Sequence, residues 1–194
     1  MSGDGSFNSE ECLAILKEVD VVITNPPFSI FGKYVATLTS NDKKFLIVGN
    51  KNAVFYKDVF PHLKNNQMRL GFHNITKFYQ EDGTIKKFGN IGWFTNIILN
   101  KKKKTLLLTE EYYCKGKPKD SSLKKYKKYY NFNAINVDRL ADIPKDYYGI
   151  MGVPVTYFDY HDDEMFEIVG TDGNIFGTEI GIEPVGNDWI TTYF

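Results

Sequence analysis

Long hydrophobic runs are missing from this chain. No apolar stretch approaches the roughly 20 residues that a membrane-spanning helix needs, and the N-terminus lacks a signal-peptide pattern. Cysteine is nearly absent: Cys12 and Cys114 stand far apart in 194 residues. That spacing argues against a disulfide framework and a cysteine metal site, and favours reduced thiols. These absences lead to the expectation of a soluble, cytoplasmic protein. Histidine is scarce too. His62, His73 and His161 are dispersed, so no metal site is expected. His161-Asp162-Asp163-Glu164 reads as a solvated acidic turn. Asp82-Gly83 and Asp172-Gly173 read as turns, without the further ligands of a calcium loop. Arginine is limited to Arg69 and Arg139, which leaves few candidates for bidentate reading of guanine.

What is present is a composition that folds. The hydrophobic fraction is 42% and the aromatic fraction 15%, too apolar for a disordered chain. A chain of this length buries roughly 70% of its unfolded surface. The formal net charge of zero conceals a segregation. Between Lys101 and Lys128, 11 lysines face only Glu110, Glu111 and Asp120. Between Asp138 and Asp188, 12 carboxylates face only Arg139 and Lys145. A basic block beside an acidic one warns of a polyanionic partner at one end.

Periodicity predicts the elements. Ser9 caps a helix through Lys17, with Cys12, Leu13 and Leu16 on its apolar side. Val21-Val22-Ile23 reads as a buried parallel strand, central in its sheet. A helix follows from Ser29 to Leu38, then a second strand, Phe45 to Val48. Asn52 to Leu63 is helical in pattern, interrupted by Pro61. This alternation belongs to an α/β sheet. Beyond Leu63 the pattern turns antiparallel, with strands expected around Met68–Leu70, Lys77–Tyr79, Ile91–Leu99, Lys104–Leu108 and Met151–Tyr160.

The first strand ends at once in Asn25-Pro26-Pro27-Phe28. The carboxyl end of a parallel strand is where open α/β sheets bind ligands. This tetrapeptide suits methylation of an exocyclic amine such as adenine N6. That amine is conjugated and a poor nucleophile, and it must first be flipped out of the duplex. The Asn25 amide oxygen can accept one amine hydrogen, and a backbone carbonyl in the Pro26-Pro27 turn the other. Two fixed acceptors push the nitrogen towards tetrahedral geometry. The prolines fix φ and bring no competing N–H. Phe28 can stack on the extruded base. The bland alternative is a turn that merely leaves a strand.

The run from Asp20 to Ser29 resembles the fourth motif of amino-methyltransferases. Lys43 to Asn50, Gly92 to Ile97, Ala134 to Val137 and Met151 to Thr156 resemble, in order, further blocks of the EcoRI-type adenine-specific DNA methyltransferases. The resemblance extends from about Gly3 to about Gly170. It implies an α/β fold: a partial Rossmann-like methyltransferase sheet, mixed and with central parallel strands, carrying an antiparallel, lysine-rich C-terminal extension. Residues 1–170 would be the catalytic domain, with a basic insert at about 100–130, and 171–194 a tail. It implies a site-specific, restriction-modification type adenine-N6 methyltransferase that uses S-adenosylmethionine and double-stranded DNA. Asn25, Pro26, Pro27 and Phe28 would be catalytic, and Asp4 would contact the donor's adenine. No glycine-rich donor-binding turn precedes Asn25, so the chain reads as a fragment, inactive alone, with a separate N-terminal methyltransferase segment as a further expected partner.

Phosphate contact is expected from Lys115, Lys117, Lys119, Lys124, Lys125, Lys127 and Lys128. Interleaved tyrosines (Tyr112, Tyr113, Tyr126, Tyr129 and Tyr130) suit stacking on nucleic acid or packing against it. A solvated loop is the competing reading. Other functions stay open: a non-catalytic DNA-binding remnant, or methylation of RNA adenine or protein glutamine.

Calorimetry should find weak or no binding of S-adenosylmethionine to this chain; micromolar affinity would refute that. Changing several lysines between Lys115 and Lys128 to Ala should weaken DNA binding without altering sequence preference, because phosphate contacts position and do not specify. Unchanged affinity and salt dependence would favour the solvated loop.

Overall fold

A computed structural model of the chain describes residues 6–98, 105–112, 126–129, 132–162, 164–171, 174–175 and 188–193. The chain divides into two compact units, Met1–Lys101 and Lys102–Phe194.

The first unit begins with α1, Glu10–Glu18, capped as its sequence predicts. The Ser9 hydroxyl accepts the Cys12 N–H at 3.3 Å, and Glu10 and Glu11 sit in the first turn, where the helix dipole favours them. The helix exit is fastened by Lys43, whose ammonium donates to the Lys17 and Val19 carbonyls at 3.1 and 2.9 Å. Strand β1, Val21–Thr24, runs parallel to β2, Lys44–Asn50, in the register Val21↔Lys44 to Thr24↔Ile47. Between them a 3-10 turn, Phe28–Ile30, leads into α2, Phe31–Ser40. Helix α2 buries Phe31, Val35 and Leu38, the i, i+4, i+7 stripe of a helix on a sheet. After β2 come a 3-10 turn, Lys51–Phe55, and the short α3, Phe60–Lys64. Pro61 lies in the first turn of α3, where its missing N–H is not needed, so it starts the helix rather than interrupting one.

A long hairpin completes this sheet. Strands β3, Arg69–Tyr79, and β4, Ile85–Thr95, pair antiparallel, and the order is β1-β2-β4-β3. The parallel pair is therefore not central. Among the described residues β1 is an edge strand, with β2 as its single neighbour. Val21 is 44% and Ile23 68% exposed. A β-branched run identifies a strand but carries no information on how many strands flank it. At the other end of β2, Asn96 substitutes for a strand partner: its Oδ1 accepts the Phe45 N–H and its Nδ2 donates to the Lys43 carbonyl, both at 2.8 Å. The buried Thr95 hydroxyl adds a 2.6 Å bond to the Phe45 carbonyl.

The second unit is a mixed six-stranded sheet of order β5-β6-β7-β10-β8-β9. Its strands are β5 Lys127–Lys128, β6 Ala134–Asn136, β7 Ile150–Pro154, β8 Phe166–Thr171, β9 Asn174–Ile175 and β10 Asp188–Tyr193. Strands β6 and β7 are parallel, and β10 lies antiparallel between β7 and β8. Ile135, Met151, Val153, Tyr157, Phe166 and Ile168 are buried. Two strand expectations fail here. Residues 105–109 form no regular element, and Leu107 is 77% exposed with no described strand beside it. The Met151–Tyr160 run is strand only to Pro154, then a 3-10 turn, Val155–Asp159; proline offers no N–H to continue a ladder.

One contact in the first unit is tight enough to test. A Cβ added to Gly49 would lie 2.5 Å from the Phe31 ring and 2.9 Å from the Phe94 ring. Gly49→Ala should destabilise the chain by about 1–3 kcal/mol, the usual cost of overpacking a core, read as a lower denaturation midpoint. Unchanged stability would mean that the two rings relax freely.

Candidate active site

The tetrapeptide leaves the carboxyl end of β1 as extended backbone and enters the 3-10 turn. Pro26 is buried, Phe28 half-buried, and Asn25 and Pro27 are exposed. The Pro27 carbonyl accepts the Ile30 N–H at 3.1 Å, and the Phe28 carbonyl accepts the Phe31 N–H. The Asn25 amide and the Pro26 carbonyl have no hydrogen-bond partner among the described residues. Two acceptors therefore stand on adjacent residues, and proline rings hold the backbone between and after them. The turn is anchored behind by Phe31, 1% exposed, whose ring lies 4.9 Å from Phe94 over the bare backbone of Gly49.

The neighbouring strand contributes at the same level. Strands β1 and β2 are parallel, so Asn50, which ends β2, emerges at the same end of the sheet as Asn25. The Asn50 side chain accepts the Asn52 N–H at 2.9 Å and caps the following turn. Asn90, on β4, donates to Asn52 Oδ1 at 2.6 Å and to Asn50 Oδ1 at 3.3 Å. The Lys51 side chain passes over Gly92, where an added Cβ would come within 3.1 Å of its Cε. These asparagines escape a sequence reading because Asn50 and Asn52 look like turn residues, and Asn90 is 38 positions away from Asn52.

An apolar groove of about 340 Å³ lies beside β1, lined by Phe7, Leu16, Val21, Ile23, Tyr34 and neighbours from α1 and α2. The Phe7 and Tyr34 rings meet at 5.3 Å. Burial, then the nearby Cys12, pushes the Tyr34 phenol above its usual range, so it stays neutral in this groove.

The other expected site residues separate. Asp4 lies outside the described residues, as do Lys115, Lys117, Lys119, Lys124 and Lys125. Lys127 and Lys128 are exposed on β5, the edge of the second sheet. The described tyrosines beside them serve packing. Tyr129 is buried, covers Gly152 and donates to Asn136 at 3.1 Å. Tyr126 donates to the Asp142 carbonyl at 2.6 Å and stacks on Tyr112 at 5.6 Å. Burial, then Glu110, Asp142 and Asp146, pushes the Tyr126 phenol up to about 12. Tyr113 and Tyr130 lie outside the described residues. Among the described residues no group of three or more His, Cys, Asp or Glu side chains is placed to hold a metal ion, and no helix is long and apolar enough to cross a membrane.

Comparison with known proteins bears on what this edge does. The family described as adenine-specific methyltransferase EcoRI matches residues 1–183. The chain is 39% identical over 185 residues to the Type II methyltransferase M.EcoRI of Escherichia coli, covering 86% of this chain and 55% of that protein. It is 31% identical over 198 residues to M.MpnI of Mycoplasma pneumoniae and 30% identical over 197 residues to M.MgeORF184P of Mycoplasma genitalium. Each of these covers 92% of this chain and 60% of the relative. The chain thus spans little more than half the length of the curated relatives it matches. No solved structure matches it.

Proposed function

This chain belongs to the EcoRI adenine-specific methyltransferase family, and from that premise we propose that it forms the target-base side of a site-specific DNA adenine-N6 methyltransferase of the restriction-modification type. The observation that carries the reading is a pair of acceptors, Asn25 Oδ1 and the Pro26 carbonyl, that have no partner among the described residues and stand at the carboxyl end of a parallel strand. The relatives, named as Type II methyltransferases, support DNA over RNA or a protein glutamine as the acceptor. The mixed parallel and antiparallel sheet supports the partial Rossmann-like architecture.

In this reading the extruded adenine approaches with its exocyclic amine between the two acceptors. Asn25 Oδ1 takes one N6 hydrogen and the Pro26 carbonyl the other. The Pro27 carbonyl is engaged by Ile30, which assigns the backbone role to Pro26. As both hydrogens are drawn aside, the nitrogen lone pair leaves conjugation and points away from the ring plane. S-adenosylmethionine, when bound, supplies the electrophilic methyl group. The residue that the resemblance assigns to that donor, Asp4, lies outside the described residues; Asn25, Pro26 and Phe28 serve the acceptor side. Positive charge grows on N6 in the transition state, and the two oxygens face it without reorganising. The surplus proton leaves to solvent after transfer, so no strong base is required. Phe28, half-buried and directly after the prolines, offers a stacking face worth about 1–3 kcal/mol for an unstacked base.

The test is a chimera in which this chain replaces the matching part of M.EcoRI, assayed with labelled S-adenosylmethionine and duplex DNA. Asn25→Ala should lower single-turnover methyl transfer about 10²–10³-fold, the scale of losing one preorganised polar contact, with DNA affinity nearly unchanged. Phe28→Ala should weaken both affinity and rate. Near-normal transfer by the Asn25 variant would reduce the tetrapeptide to a turn. A chimera that binds DNA but never transfers methyl would support a DNA-binding remnant instead.

A further inference from the structure

The β3–β4 hairpin outgrows its sheet. Strand β2 pairs with β4 only from Leu46↔Thr95 to Asn50↔Ile91. Beyond Ile91, β4 continues back to Ile85 with β3 as its sole described partner, through Lys77↔Lys87, Phe78↔Lys86 and Tyr79↔Ile85. Six further residues at about 3.3 Å each carry this two-stranded ribbon roughly 15–20 Å past the sheet. The direction is set by topology. Strand β4 is antiparallel to β2, so its outgrowth leaves at the carboxyl end of β2, the end at which Asn25 and Asn50 emerge. The ribbon root lies two strands from β1, about 10 Å away at normal strand spacing. A register shift between Leu70 and Asn74 lies within the sheet, and a second between Ile75 and Lys77 breaks the ladder where the ribbon departs; such irregularities re-aim a strand. Asn90 ties the root to Asn50 and Asn52.

Among the described residues the ribbon has little to pack on, yet it is not built from inert polar residues. Burial ends at Ile91; Gly89 and Asn90 and the strand residues Lys77, Tyr79, Ile85, Lys86 and Lys87 are all exposed. Tyr79 is 79% and Ile85 49% exposed, and the two are cross-strand partners. On the same face Lys77 stands directly opposite Lys87, an arrangement of like charges that destabilises an isolated hairpin and that an anion would relieve. On the other face Phe78 meets Phe88 at 5.3 Å, with the Lys86 ammonium 5.4 Å above the Phe88 ring. The carboxylates Glu81 and Asp82 sit at the tip, and Asp82 is occupied by the Thr84 N–H and hydroxyl at 2.9 and 2.6 Å. The lysines lie down the shaft, away from the tip.

We propose that this ribbon is a DNA-engaging arm that enters a groove of the duplex beside the flipped adenine. Lys77, Lys86 and Lys87 contact phosphates, and the Tyr79–Ile85 pair lies against base edges. A two-stranded ribbon fits a major groove about 12 Å wide. The proposal rests on the DNA-methylase reading above, because that reading identifies the polyanion.

The test uses the full chain and a fluorescein-labelled duplex of about 30 base pairs of mixed sequence, followed by anisotropy at several salt concentrations. The triple variant Lys77→Ala/Lys86→Ala/Lys87→Ala should lose about 10–100-fold in affinity at low salt, and its log–log salt slope should shrink by about 2–3, one counterion per lost phosphate contact. The triple Lys→Arg variant should retain affinity, which separates lost charge from a disturbed fold. Tyr79→Ala should weaken binding several-fold while leaving the slope unchanged. If the wild-type chain binds the duplex and the triple Ala variant matches it in affinity and slope, the arm is refuted while the methylase reading stands. If the wild-type chain binds no duplex at all, the DNA reading itself falls, and the arm with it.

Discussion

The contact on which the first unit depends is the seating of Phe31 over Gly49, against Phe94. Phe31 is the first residue of α2 and follows the Asn25–Phe28 turn by three positions. A side chain at position 49 would occupy the volume that its ring fills. Because that volume is open, α2 descends onto β2, and the turn before it is drawn tight against the end of β1. The placement of Asn25 and Pro26 is thus set by packing on the next strand, not by the prolines alone. Prolines fix φ at two positions; the buried ring fixes where the rigid turn stands.

Around that anchor the residues of the proposed site gather at one end of the sheet. Asn25 directly follows β1, Asn50 ends β2, and Asn90 stands on the returning β4. Parallel pairing puts the first two at one level, and antiparallel pairing sends the hairpin past them. Polar side chains there bond to turn backbone and to one another, which leaves the sheet interior to Phe45, Ile47, Val48 and Phe94. Exposed polar, aromatic and cationic side chains gather outside the strand ends, away from the packed core.

The second unit uses its aromatic residues differently. Tyr129 fills the space over Gly152, Tyr157 meets Phe166 edge-on at 5.6 Å, and Tyr126 gives its hydroxyl to the Asp142 carbonyl. A tyrosine among lysines in sequence suggests stacking on nucleic acid, but a buried tyrosine whose hydroxyl is already bonded has no free face to offer. Tyr126, Tyr129 and Tyr157 stabilise their own unit, whereas Tyr79 of the first unit turns its ring outward.

The sequence by itself determined the local elements and pointed to the chemistry proposed for one turn. Ser9 before an apolar stripe gives α1, β-branched runs give β1 and β2, and Asn-Pro-Pro-Phe after a strand offers the acceptors and the ring of the proposed site, because caps, periodicity and fixed φ act over a few residues. Family membership was legible for the same reason: short blocks such as those around Asn25, Gly92 and Ala134 keep their order along the chain. Tertiary structure alone decided that β1 lies at an edge of the described sheet, that Asn90 reaches Asn50 and Asn52, that β10 enters the middle of the second sheet, and that the hairpin projects from the end of the sheet where Asn25 emerges. Each of these depends on pairing between segments tens of residues apart. A strand's own residues encode its faces and its hydrogen-bonding capacity, but not the identity or number of its neighbours, which only the folded chain supplies.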